Sequence, residues 1–506
     1  MMTLTPTLKP LPMAPLPFEE EARPPVLAEP IVVKPERLAS LDIFRGITIA
    51  TMLLVNNPGS WGHVHGPLKH AEWHGWTMTD LVFPFFLFIV GVAIPFSMAK
   101  RSATGSLTRG QMLVSVWVRA LSLVLLGLLL ASIPRFGDPL PQGYHLLAAL
   151  RWVAVGFVTL SFVALLFPWR WRRAAIFVPL AVALGLVLLY WAISLANRQA
   201  LGAGLPESFK FGGGILTPWR MRFPGVLQRI GVCYGVAATI ALFCGWRMIL
   251  LSAALLMAMY SGLMLKAPYH DHTTGSLTKE DNLQRRVDED VFGHSRTGRN
   301  HNYGYPDPEG LVSTLPAIGS VLLGLLIGLR LRSDRLPSEK GASVLAWGVA
   351  VTCIGVLLSW WLMPINKQLW TPSFTVFTAG LGMLGLGAVY YLADIKRRRA
   401  WAWPLKVFGM NAILAFVLAG VLNRVSGLFE FVHPRTGDKT HAVAYLRGEV
   451  AEGLHQGADW LVAHAHVTPG VIDSPNNVSL AQAVTFVLII FIPLLIAYFC
   501  RLFIKV

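Results

Sequence analysis

Charge is what this 506-residue sequence has least of: 14% of its residues are charged and 54% are hydrophobic. A soluble domain carries roughly 25% charged residues. The deficit runs along the whole chain and excludes an ordinary soluble enzyme. Cysteine is scarce as well. Cys233, Cys244, Cys353 and Cys500 all fall inside apolar runs, which excludes a disulfide framework and a zinc pattern and reads as buried thiols. Acidic residues number 27 against 43 Lys and Arg, a formal net charge of +16. The cations sit in short clusters between apolar runs, a topology-setting pattern, so nucleic acid is not an expected partner. An internal repeat is also lacking, and with it any hint of the inverted halves of many transporters.

What is present is apolar sequence in long runs. A hydrocarbon core about 30 Å thick needs about 20 apolar residues per helix. The runs predict an all-α polytopic membrane protein with about twelve spans, at roughly 41–57, 79–99, 111–133, 146–168, 173–196, 223–244, 246–266, 310–331, 341–363, 371–394, 404–427 and 479–502. Residues 1–37 are too rich in proline for a helix or strand and read as a disordered cytoplasmic tail. That tail lacks a basic region followed by an apolar core and a cleavage site, so the first apolar run is expected to stay as a helix. The densest basic clusters, around Lys100, Arg170, Arg330 to Lys340 and Lys396 to Arg399, fall on alternate short loops. By the positive-inside rule both termini are then cytoplasmic. The segment 428–478 falls on the other side, and its helical apolar spacing suggests an amphipathic helix on the membrane surface.

The stretch Leu41 to Gly91 is the most informative. Two apolar runs bracket a connector rich in His, Trp and Gly, and the polar residues gather at the ends of the runs. Polar groups at the mouth of an apolar bundle are costly to bury and mark candidate sites. Asp42 and Arg45 share a helix face and pair, as an interfacial anchor or as an anion site where Arg45 meets phosphate. From Arg45 to Asn56 is about 17 Å along a helix, so one helix presents a cation near one face and an amide near the other. His63, His65, His70 and His74 crowd the connector, but no cysteine or well-placed carboxylate completes a metal set. Interfacial His and Trp residues are one reading of the connector. The sharper one singles out His70, just ahead of a helix start signalled by Thr77, Thr79 and Asp80. A carboxylate there fixes the imidazole tautomer and raises its basicity, as a general base or nucleophile needs.

Three further polar stretches interrupt apolar sequence: Gln228 and Arg229, Asp307 and Glu309, and Gly409 with Asn411. Acidic groups suit a helix N-terminus, and an asparagine in a span often bonds between helices.

Spacing alone does not choose among these readings. LDIFRGITIATMLLVN, KHAEWHGWTMTDLVFPFFLFIVG, FPGVLQRIGVCY, DPEGLVSTLPAIGSVLLG, NKQLWTPSF and GMNAIL occur in this order between about residues 38 and 425. Together they resemble the heparan-α-glucosaminide N-acetyltransferase family and its bacterial relatives. The resemblance implies a multi-pass transferase of the bacterial inner membrane. It would take acetyl from cytoplasmic acetyl-CoA and deliver it to the amine of glucosamine or a related sugar on the periplasmic side. The family's active-site histidine matches His70, and its neighbouring asparagine matches Asn56. Around these, Asp80 is assigned to orient His70, and Arg45, Asp42, Gln228, Arg229 and Asn411 to the acetyl-CoA donor. Asp307, Glu309, Asn57 and Trp73 are assigned to the sugar, and no metal is assigned. The stretch from about 139 to 220 reads as a two-helix insertion. Lipid, acetyl-CoA and the amino sugar are the expected partners, and a homodimer is left open. An amino-sugar transporter without chemistry and an O-acetyltransferase of surface glycans are the alternatives.

Overall fold

The computed structural model describes residues 38–103, 108–132, 224–269, 273–292, 307–425, 430–434, 437, 439–465, 470 and 472–503. The N-terminal tail and the expected spans at 146–168 and 173–196 lie outside them. Among the described residues, the regular structure is helical apart from one two-stranded antiparallel ladder, β1 (Glu430–Val432) with β2 (Lys439–His441), and an isolated bridge between Leu277 and Asn282.

The helices follow the apolar runs closely. They are α1 (Ala39–Asn56), α2 (Val82–Ala103), α3 (Arg109–Ser132), α4 (Val226–Phe243), α5 (Trp246–Lys266), α6 (Leu283–Phe292) and α7 (Thr314–Arg332). Then come α8 (Pro337–Trp361), α9 (Pro372–Tyr390), α10 (Trp403–Met410), α11 (Ala412–Val425), α12 (Ala442–Ala465) and α13 (Pro475–Phe499). Among the described residues, nine helices are long and apolar enough to cross a membrane. The pair 400–410 and 412–423, bent by 68°, counts as a tenth if its two pieces form one span. The expected span at 404–427 is therefore two pieces rather than one rod. Its break falls at Asn411, whose side-chain amide donates to the Leu502 carbonyl at 2.9 Å. That bond ties the break to the segment that follows α13.

Burial separates the helices into an inner and an outer set. In α7, 72% of the apolar window is buried, against 22% in α8. Helices α1, α2 and α9 are buried like α7, whereas α3, α5 and α13 are mostly exposed like α8. In a bilayer the exposed apolar faces meet lipid. The expectation of buried thiols holds for Cys233 and fails for Cys353 and Cys500, which are exposed. Cys353 lies on α8 and Cys500 follows the end of α13, both peripheral helices, where an apolar run has a lipid-facing side as well as a packed one.

Small residues let the inner helices touch by backbone. A methyl group at Gly46 of α1 would overlap the Leu405 carbonyl of α10, and one at Gly409 would overlap the Asp42 carbonyl. Close approach of this kind is the main source of attraction between helices in lipid. The start of α1 is held by a distant carboxylate. Asp394 accepts the backbone N–H groups of Ala39 and Ser40 at 3.1 and 3.0 Å, and Arg399 approaches the same carboxylate at 3.3 Å. Two N–H groups without intrahelical partners are thereby satisfied.

Because Gly46 has no room for a side chain, Gly46→Val is expected to destabilise the purified protein by about 1–3 kcal/mol. Thermal unfolding in detergent checks it. Gly66→Ala, at a site with nothing within 4 Å, is the control and should leave the melting temperature unchanged.

Candidate active site

The site is built on the connector between α1 and α2. Thr77 caps a single turn of 3-10 helix, Met78–Leu81, which runs into α2. The Asp80 carboxylate reaches back to the Thr77 N–H, making a reciprocal capping box. The same Asp80 oxygen, Oδ2, accepts from Ala71 N at 3.0 Å, Thr77 N at 3.1 Å and Thr77 Oγ1 at 3.1 Å. The other oxygen, Oδ1, lies 2.7 Å from His70 Nδ1. Helix-start chemistry thus buries a carboxylate and leaves one oxygen for the histidine. The Asp80 side chain is 2% exposed and that of His70 is 44% exposed. With Asp80 ionised, the short contact requires Nδ1 to carry the proton, which leaves Nε2 as the lone-pair nitrogen.

A third group joins them from 297 residues away. Lys367 Nζ lies 3.2 Å from Asp80 Oδ1 and 3.2 Å from His70 Nδ1, on the turn between α8 and α9. That turn is fastened from several sides. Asn366 donates to the Trp73 carbonyl at 2.9 Å, and Tyr260 of α5 to the Leu369 carbonyl at 2.5 Å. Trp370 is fully buried and donates to Ser320 of α7 at 3.2 Å. Thr371 caps α9 by accepting from Phe374 N, and Pro372 follows at the first helical position. Burial pulls the Lys367 ammonium below its usual range, opposed by Asp80 and Glu309. The sequence carries NKQLWTPSF as a family motif, with no role assigned to Lys367. The available signal was a lone cation between two apolar spans.

The segment ahead of α7 lies at the same end. Arg229 of α4 donates to the carbonyls of Pro308 and Gly310, each at 2.7 Å, and to Ser313 Oγ at 2.5 Å. Its guanidinium also stacks over Trp370, 5.3 Å from the ring. Arg229 was grouped with Arg45 at the acyl donor. The structure puts Arg229 at the His70 end of the bundle, its guanidinium bonded to the 308–313 segment. Gln228 is buried against Gly127 and Gly225. Asp307 is buried and its Oδ1 accepts from Glu309 N at 2.9 Å. Glu309 acts electrostatically on both Arg229 and Lys367. Gln284 of α6 bridges the two segments, donating to the Asp307 carbonyl at 2.9 Å and the Gln368 carbonyl at 3.0 Å. Asp288 of α6 is fully buried, with Leu311 N on its Oδ1 at 2.9 Å. Burial pushes its carboxyl up to about 8, the Leu311 N–H opposing and Asp307 adding to the rise.

The remaining expected residues divide between the two ends. Asn56 closes α1 and is exposed. Asn57 is buried: its amide donates to the Leu53 carbonyl at 2.7 Å and its oxygen accepts from Asn423 at 2.6 Å. Asn57 thereby ties α1 to α11. Trp73 donates to the Leu277 carbonyl at 2.9 Å and packs with Leu283 and Met363. At the opposite end, Arg45 is 3.4 Å from both Asp42 Oδ1 and the Gly409 carbonyl. Asn411 lies there too, at the helix break. Among the described residues no three His, Cys, Asp or Glu side chains form a group able to hold a metal ion.

Comparison with known proteins follows the same lines. Residues 37–133 match a family model described as "Domain of unknown function (DUF5009)". The chain is 25% identical over 435 residues to heparan-alpha-glucosaminide N-acetyltransferase of Homo sapiens, covering 76% of this chain and 52% of that protein. It is 24% identical over 469 residues to the Mus musculus protein of the same name, covering 83% and 58%. The chain spans about half the length of the curated relatives it matches. The resemblance first carried by six motifs thus extends over most of the sequence.

The position of Asp288 sets a pH dependence. Above pH 4 the unfolded chain has released this proton, and the folded chain keeps it until about pH 8. Stability therefore falls as pH rises through that window. Asp288→Asn is expected to flatten the decline in melting temperature between pH 6 and 8, measured by thermal unfolding of the purified protein.

Proposed function

We propose that the chain is a transmembrane acetyltransferase that moves acetyl from cytoplasmic acetyl-CoA to the amine of glucosamine or a related amino sugar at the opposite face. The carrying observation is His70, with Nδ1 held 2.7 Å from Asp80 and the ring partly open to solvent. Residues 38–506 form the transferase domain of a multi-pass protein of the bacterial inner membrane.

Orientation follows from charge. Arg109, Arg247, Arg330 to Lys340, Lys396 to Arg399 and Arg501 all fall at the Arg45 end of their helices. That excess makes the Arg45 end cytoplasmic and the His70 end periplasmic. Leu38 and Leu502 then both lie on the cytoplasmic side. Helix α12 carries exposed Leu446 and Trp460 and rests on the periplasmic membrane surface.

Each expected residue acts where its end of the bundle puts it. Arg45, with Asp42 and Asn411 beside it, meets the phosphates of acetyl-CoA, as a guanidinium suits phosphate geometry. The acyl arm extends along α1 toward Asn56, about 17 Å away at 1.5 Å per residue. His70 Nε2 takes the proton that the sugar amine loses as it attacks the thioester carbon. The new C–N bond forms, the C–S bond breaks, and the thiolate leaves as CoA. Asn56 donates to the thioester oxygen as negative charge builds there, worth about 3 kcal/mol in comparable sites. Glu309, with Asp307 shaping its turn, offers acceptors to the sugar amine or hydroxyls. Trp73 lines the same connector, Arg229 holds the 307–313 segment in place, and Gln228 packs against Gly127 and Gly225. In a two-step variant Nε2 first carries the acetyl group itself, and an acetylated His70 peptide on rapid quench identifies it.

A carrier without chemistry is the second reading, favoured by the broken pair α10–α11, since discontinuous helices line many transport sites. One experiment decides between them: transfer from labelled acetyl-CoA to glucosamine by purified protein, wild type against His70→Ala. Transfer that drops by 10³-fold or more in the variant, with acetyl-CoA binding kept, supports the acetyltransferase. A polysaccharide hydroxyl acetylated in place of glucosamine would make it the O-acetyltransferase. Neither binding nor transfer in folded wild-type protein would favour the carrier.

A further inference from the structure

Resting on the acetyltransferase reading, we propose that Lys367 is a positioning residue that keeps His70 uncharged, with its Nδ1 proton directed at Asp80 and its Nε2 lone pair available. The argument is geometric. Asp80 Oδ1 has two neighbours, His70 Nδ1 at 2.7 Å and Lys367 Nζ at 3.2 Å, and these two are themselves 3.2 Å apart. An ammonium at that distance disfavours a second positive charge on the ring, because like charges held close in a buried site repel strongly. It also keeps Asp80 ionised, so the carboxylate accepts the Nδ1 proton and does not take it. An imidazolium has no Nε2 lone pair to offer.

The surroundings make the arrangement a fixed one. The Lys367 side chain is 18% exposed and sits on a turn tied to Trp73, Tyr260, Gln284 and Ser320. Its position is therefore set by four separate parts of the chain. Glu309, on the segment ahead of α7, is the other charge acting on Lys367 and helps keep it an ammonium despite its burial. On its own connector His70 has Lys69, Glu72 and His74 as chain neighbours, all exposed and therefore well screened. Asp80 and Lys367 are the charges that face the ring. They bear on it from opposite directions: the carboxylate stabilises a charged ring and the ammonium opposes one.

The test reads the ring directly. Diethyl pyrocarbonate modifies only uncharged imidazole, and peptide mass spectrometry of the solubilised full chain reports His70 among the other histidines. In Lys367→Met the pH profile of His70 modification should move up by about one unit. Lys367→Gln, which keeps a donor to Asp80 without the charge, should move it likewise. Lys367→Arg should restore the wild-type profile. The acid limb of acetyl transfer should follow the same three shifts. An unmoved His70 profile in both uncharged variants, in protein that still unfolds cooperatively, would overturn the proposal. Absence of acetyl transfer in the wild type would count against the acetyltransferase reading and leave the modification profiles to judge Lys367 separately.

Discussion

The Asp80 carboxylate is the interaction on which the rest of the site depends. It is buried, and a buried carboxylate is tolerated only when its acceptor capacity is met. Three donors from the connector meet one oxygen, and a histidine and a lysine meet the other. One of those donors, Thr77 N, belongs to the capping box that leads into α2, so the start of a membrane helix and the orientation of His70 are one structural event. The lysine belongs to the turn before α9, so the same carboxylate fastens the connector to the far half of the chain.

That fastening explains the dense polar network beneath the site. Arg229, Gln284, Asp288 and Ser313 bond mostly to backbone groups of the 307–313 segment and of the turn at 366–371. Such bonds hold loops rigid without changing their charge. Loops positioned by a rigid scaffold are where binding groups concentrate, and here the scaffold is buried polar chemistry at one end of an apolar bundle. At the other end the joint is of a different kind. Backbone contact through Gly46 and Gly409 sets α10 against α1 and places Arg45 beside the broken helix.

Much of this was legible in the sequence. The span expected at 41–57 is α1 at Ala39–Asn56, and that at 246–266 is α5 at Trp246–Lys266. Apolar length decides a membrane helix with little interference from tertiary context. His70 and Asp80 were readable together because they are ten residues apart and the cap at Thr77 fixes the geometry between them. The interruption at Asn411 was readable as a polar break, though not as a 68° bend. Lys367 was not readable, since nothing local ties it to His70. The partners of Arg229 were not readable for a related reason. A cation within a span suggests a ligand, and its real acceptors are carbonyls, which no sequence pattern displays. The bond from Asn423 to Asn57 was not readable either: consecutive residues at a helix end point in different directions, and Asn57 turns inward where Asn56 turns out.

The central claim is that one helix joins a donor at one face of the membrane to chemistry at the other. The most direct measurement uses the full chain in sealed vesicles, with labelled acetyl-CoA only on the Arg45 side and glucosamine only on the His70 side. The account predicts labelled N-acetylated sugar on the His70 side and free CoA thiol on the Arg45 side. Product formed only when both substrates share one side would contradict it.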